Sequence, residues 1–225
     1  MSDKYPSLSP YVYCADNPIK LVDPNGEEID IDGYRYIPGQ SCPNGVSEKT
    51  QNKWNTLNKI YSTKIGETLI SEMASTDDYC ISISSEKHIS ADGSGAYQSE
   101  RKHKSGTLYT NGNDWSVGTI AHELFHGYQD MKGSTGNSVF GEIEARLFAT
   151  FVCEENIEFA MGMPQFSAPD ASQSFYQSLN SLKQSFSLDK MKDFIPHFLS
   201  NIEGYGSLDL IAPNQKVLID KFYPK

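Results

Sequence analysis

The stretch that most restricts how this 225-residue chain can fold is 117–128. Apolar side chains fall at Val117, Ile120, Ala121, Leu124, Phe125 and Tyr128, the spacing of one face of an α-helix. Roughly 140° round the helical wheel from the centre of that stripe stand His122 and His126, with Glu123 completing an HExxH pattern. Residues four apart on a helix lie one above the other, so both imidazoles can reach one ion. Glu123, about 100° further round than His122, can hold a water beside that ion without ligating it. Asp114 or Ser116 can cap the start of the helix, and Gly133 sits where it should end. The pattern predicts a helix that buries one side and presents its histidines to a cleft.

A zinc site that performs hydrolysis wants three protein ligands and an open position. The extended HExxHxxGxxH form is excluded, because Gln129 stands where its glycine would be and Lys132 where its third histidine would be. A glutamate from a following helix is the remaining source. After the turn-forming Gly133–Ser138 comes 139–149 (VFGEIEARLFA), a run of good helix formers that continues to about Asn156 and is expected to pack antiparallel to the first helix. Glu142 and Glu144 are the candidates. Two residues apart, they cannot both face the metal. Glu142 is favoured, since the small Ala145 and Ala149 along its face allow two helices to approach closely; Glu144 remains the alternative.

Glu142-Ile-Glu-Ala-Arg-Leu-Phe-Ala149 resembles the ExxAxxFA run that follows HExxH in ImmA/IrrE-type metallopeptidases. More broadly, HExxH with a downstream glutamate is similar to the gluzincins. The resemblance covers residues 116–153, with Glu142 following His126 by 16 residues. It implies a zinc metallopeptidase in which His122, His126 and Glu142 hold Zn2+ and Glu123 is the catalytic base. It also implies an α+β, zincin-like fold: an active-site helix with a small mixed sheet and further helices.

Residues 1–27 read differently. Pro6, Pro10, Pro18, Pro24 and Gly26 punctuate a segment with neither helical nor alternating pattern. Tyr11-Val-Tyr-Cys-Ala-Asp-Asn-Pro-Ile-Lys-Leu-Val-Asp-Pro-Asn-Gly26 resembles the end of the core of Rhs/YD-repeat polymorphic toxins, the junction between a repeat shell and a variable C-terminal toxin. On that resemblance, 1–27 is the tail of the Rhs core or a linker and 28–225 the toxin domain. It implies a secreted protein, delivered from a bacterium into a target cell to act on a protein there. Its partners would be the Rhs shell of the parent polypeptide and a cognate immunity protein.

The remaining features bound the reading. A formal charge of −10 argues against a nucleic-acid partner. No apolar run approaches about 18 residues, so no membrane span is expected, and the first residues lack the layout of a signal peptide. Cys14, Cys42, Cys80 and Cys153 show no zinc-ribbon spacing and read as isolated thiols. Residues 28–37 predict a short hairpin around Asp32-Gly33, and 48–73 a helical stretch divided at Gly66. A strand is expected at 79–84 and a hairpin or meander over 96–110, placed as the edge that could bind extended peptide. Two further helices are expected near 172–186 and 188–201. His88, His103 and His197 read as lone loop or surface histidines. Tyr97, Tyr109, Tyr128 and Tyr205 are candidates to stabilise an oxyanion, Tyr128 the weakest because it lies on the apolar stripe.

The function expected is hydrolysis of backbone peptide bonds by a zinc metalloendopeptidase. Two alternatives stand beside it: a degenerate zincin acting as a binding module, and an amidase or peptidase acting on peptidoglycan cross-links. Retention of Glu123 weighs against the first, and the absence of a recognisable wall-binding segment against the second.

Overall fold

The computed structural model describes residues 29–76, 79–84, 86, 95–100, 104–110, 116–134, 138–156, 171–202, 208–211 and 214–223. The proline-rich segment 1–27, with Cys14, lies outside the described residues, as do His88, His103, Asp114 and Tyr205. Six α-helices and a five-stranded mixed sheet make the described part an α+β protein.

The chain enters through β1 (Ile29–Ile31) and β2 (Tyr34–Arg35), the expected hairpin. Its turn runs through Asp32 and Gly33 at φ 52° and 87°, a left-handed pair that Asp-Gly accepts readily. Next come α1 (Glu48–Tyr61) and α2 (Lys64–Ala74), capped by the side chains of Ser47 and Thr63. The expected pair of helices forms, but the break falls at Ser62–Thr63, before Gly66. Glycine is required at 66 for another reason: a Cβ there would lie 2.0 Å from the carbonyl oxygen of Ile60, so only a residue without one lets the two helices meet this closely.

Three strands follow: β3 (Cys80–Ser84), β4 (Gly95–Glu100) and β5 (Ser105–Thr110). The sheet order is β2-β1-β3-β5-β4. Both β1 and β5 run parallel to β3, Ile29 opposite Ile81 and Cys80 opposite Ser105, while β4 pairs antiparallel with β5, Tyr97 opposite Leu108. Alternation puts Ile81 and Ile83 on the buried face and leaves Cys80, Ser82 and Ser84 half-buried. β4 is the last strand in the order.

Then comes α3 (Val117–Met131), with Ser116 accepting the Thr119 N–H at its start. It ends as expected: Gly133 takes φ 69°, and the N–H groups of Gly133 and Ser134 donate to the carbonyls of Asp130 and Gln129. α4 (Val139–Glu155) follows after a short connection, capped by Ser138. Phe125 stacks on Phe148 at 5.0 Å while Gln129 bonds to Gly141, so the two helices run antiparallel. α5 (Ala171–Gln184) and α6 (Leu188–Asn201) join through Phe175, Phe194 and Phe198.

The last described residues strap the α3–α4 pair. Val139 N–H donates to Asp209 O, Lys216 N–H to Ser134 Oγ, and Phe222 of the closing 3-10 turn (Ile219–Phe222) stands edge-on to Phe125 and Phe148. Among the described residues, Cys42, Cys80 and Cys153 form no disulfide, and no helix is long and apolar enough to cross a membrane.

Candidate metal centre

His122 and His126 sit one turn apart on α3, and Glu142 faces them from the first turn of α4. Nε2 of His122 lies 3.3 Å from Oε2 of Glu142, and Nε2 of His126 lies 3.3 Å from Oε1. The two Nε2 atoms are 3.1 Å apart. Taking one atom per residue, the three donors lie within 4.8 Å of one another. An ion with tetrahedral bonds of about 2.0–2.1 Å spaces its ligands by about 3.3 Å, so the set can hold a small metal ion. Two imidazoles and a carboxylate also suit first-row divalent metals chemically.

The orientation of His126 is fixed from behind. Gln129, one turn on, has its amide nitrogen committed to Gly141 O at 3.0 Å and to Glu144 Oε2 at 3.1 Å. Its Oε1 therefore faces His126 Nδ1, at 2.9 Å. An oxygen acceptor there requires Nδ1 to carry the proton, which leaves the Nε2 lone pair for a metal. His122 has no such support: its Nδ1 is buried without a hydrogen-bond partner.

Glu144 is not part of the donor set. It is fully buried and turned the other way, and its Oε1 accepts the N–H groups of Leu218 at 2.8 Å and Ile219 at 3.1 Å. Burial, opposed by those bonds, pushes its carboxyl up to about 7. The geometry thus brings Glu142, and not Glu144, to the histidines.

With no metal bound, the donor groups titrate against each other. Burial disfavours a cation at His126, but the Glu142 carboxylate outweighs it and pushes the imidazole up to about 9. Burial, together with the charge of His126, holds His122 down to about 4 against the pull of Glu142. Glu142 is held well below the usual carboxylate range, its burial overcome by the charge of His126 and by hydrogen bonds from both histidines. Glu123 stands beside the group, its carboxylate accepting the backbone N–H of Tyr97 in β4; burial, countered by His126 and aided by Glu142, pushes it up to about 7.

The histidines, expected to face a cleft, are closely surrounded. His122, Glu123 and His126 are each 8% exposed, because the polar face of α3 packs against α4 and β4 as its apolar face packs against the core. Gly127, next to His126, permits the approach: a Cβ there would lie 2.8 Å from Ile81 Cδ1 and 3.3 Å from the Tyr97 ring.

Two of the candidate oxyanion tyrosines are engaged elsewhere. The Tyr97 hydroxyl bonds to Asp130 and Tyr79, and that of Tyr128 to Glu72. His197 sits on α6, with Nδ1 3.5 Å from Asn201 Nδ2. Three participants escaped the sequence: Gln129, Glu144 as an anchor, and Arg146. Spacing offered a signal for two of them, Gln129 three residues after His126 and Arg146 four after Glu142. Protein-family models, curated proteins and solved structures give no match to this chain.

Proposed function

We propose that this chain carries a zinc-dependent metallopeptidase domain of zincin-like fold that hydrolyses backbone peptide bonds. The observation that carries the reading is the convergence of His122, His126 and Glu142 within the span of one ion, with the Glu123 carboxyl beside them. A bound zinc would supply Lewis acidity that polarises the scissile carbonyl and acidifies water. Glu123 then takes a proton from the attacking water and passes it to the departing amine. Burial, countered by His126, pushes this carboxyl up to about 7 in the metal-free chain, toward the range of a group that takes and returns a proton. The water-poor surroundings of α3 and α4 strengthen each of these charge interactions.

β4 supports the choice of a peptide. It ends the sheet order, and the backbone N–H of its Tyr97 is a hydrogen-bond partner of Glu123. A substrate laid beside that edge as a further strand would run past the glutamate. The resemblance of residues 9–27 to Rhs cores extends the proposal to a toxin domain delivered from a bacterium. It would act on a protein of the target cell and be restrained by an immunity protein.

The test combines metal content with turnover of an unfolded protein such as casein. Wild type is expected to carry about one zinc per chain and to cleave. Glu123→Gln should keep the metal and lose at least 10²-fold in rate, while Glu142→Ala should lose the metal. A Glu123→Gln variant with full activity would sink the mechanism. Zinc without hydrolysis of any unfolded protein would favour a binding module instead.

A further inference from the structure

Arg146 lies four residues after Glu142 on α4, so both side chains share a helix face. It is 9% exposed, and its Nε is buried with no hydrogen-bond partner. Among the described residues no carboxylate pairs with it; the ion pairs found there are made by other groups. A guanidinium is always charged and keeps a buried position only when paired or supplied with an anion.

Its charge is felt on the catalytic side of the helix. It disfavours protonation of His122 and of Glu123, and it acts on Tyr176 of α5 as well. The guanidinium thus acts electrostatically on His122, Glu123 and Tyr176 from the Glu142 face of α4. With the metal bound, neutral His122 and His126, the Glu123 and Glu142 carboxylates, a divalent ion and Arg146 leave the site with one positive charge in excess. Among the described residues no further carboxylate pairs with Arg146 to offset that excess, so an anion can be received there.

We infer that Arg146 is the anion-receiving residue of this site and that the substrate places a carboxylate there, next to the bond to be cleaved. The inference rests on the peptidase reading above. Four residues of helix rise roughly 6 Å, and one extended residue spans about 3.3–3.6 Å. The carboxylate consequently belongs to a residue adjacent to the scissile bond, as an acidic side chain or as the chain terminus. The planar guanidinium fork matches a carboxylate by two parallel hydrogen bonds.

The test is binding rather than turnover, on the zinc-loaded full chain by calorimetry. Acetohydroxamate, which grips metal but carries no second charge, is compared with succinic monohydroxamate, which adds a carboxylate. The expected result is at least tenfold tighter binding of the succinyl compound. Arg146→Met should erase that preference and Arg146→Lys weaken it, the ratio of the two affinities being the readout, and retained binding of acetohydroxamate certifies that the variants are folded and loaded. Equal binding of the two probes by wild type, or a preference that survives Arg146→Met, overturns the assignment while leaving the metal centre standing. Failure of both probes to bind overturns the metal centre and this assignment with it. Competition by a peptide with a free C-terminus, against an amidated peptide with an internal aspartate, then tells terminus from side chain.

Discussion

Two residues set the chemistry of the pair of helices before any metal arrives. In the metal-free chain the His126–Glu142 pair stabilises the fold through two shifted groups. The raised imidazole gives a contribution fully present below its ordinary 6.5 and lost as pH rises through about 9. The depressed carboxyl gives one present above its ordinary 4.5 and lost as pH falls below it. Chelator-treated protein should therefore lose Tm above about pH 8, whereas zinc-loaded protein, whose His126 is already deprotonated, should not. Metal uptake must expel the His126 proton, so affinity should fall as pH drops below 9. Gln129→Leu removes the acceptor that orients His126, and chelator competition should show a 10–100-fold loss of zinc affinity. The convergence of His122, His126 and Glu142 was legible in the sequence because a helix converts spacing into proximity without knowledge of the rest of the fold. Glu144 was not: its partners, the N–H groups of Leu218 and Ile219, lie more than seventy residues away, and no local pattern encodes them.

Elements position the site through close approaches. Gly127 lets α3 settle on β3 and β4. Alanine there gains up to about 1 kcal/mol of helix propensity but overpacks against Ile81 at a cost of about 1–3 kcal/mol. A net loss of about 1 kcal/mol is expected in urea unfolding, since the Ile81 methyl can give way. At Gly66 the obstacle is the Ile60 carbonyl, which is backbone and cannot, so Gly66→Ala should cost about 3 kcal/mol. Glu144→Ala strands one buried and one half-buried N–H group, and a loss of about 1–3 kcal/mol is expected with metal content retained. Most element bounds followed from period and turn chemistry: the Asp-Gly hairpin, the alternating β3, and α3 with its Ser116 cap and Gly133 stop. The break between α1 and α2 was misplaced because Gly66 marks a steric contact, and steric contacts carry no periodic signal. The burial of the histidines was also unforeseen. A helical wheel shows which face is polar but not that α4 and β4 will cover it.

At the scale of the whole molecule, the sheet order was beyond reach from sequence, since β1‖β3 pairing joins residues some fifty positions apart. The donor set itself is the opposite case. Its three residues fall within 122–142, on two consecutive helices, so forming it closes only a short loop. Contacts so near in sequence form quickly. The strap that holds Glu144, and through Gln129 the back of His126, comes from residues 209–222 at the end of the described chain. Synthesis runs from the N-terminus, so the three donors meet before the residues that brace them emerge. A chain still being made would hold a loosely built centre until residues 214–222 dock.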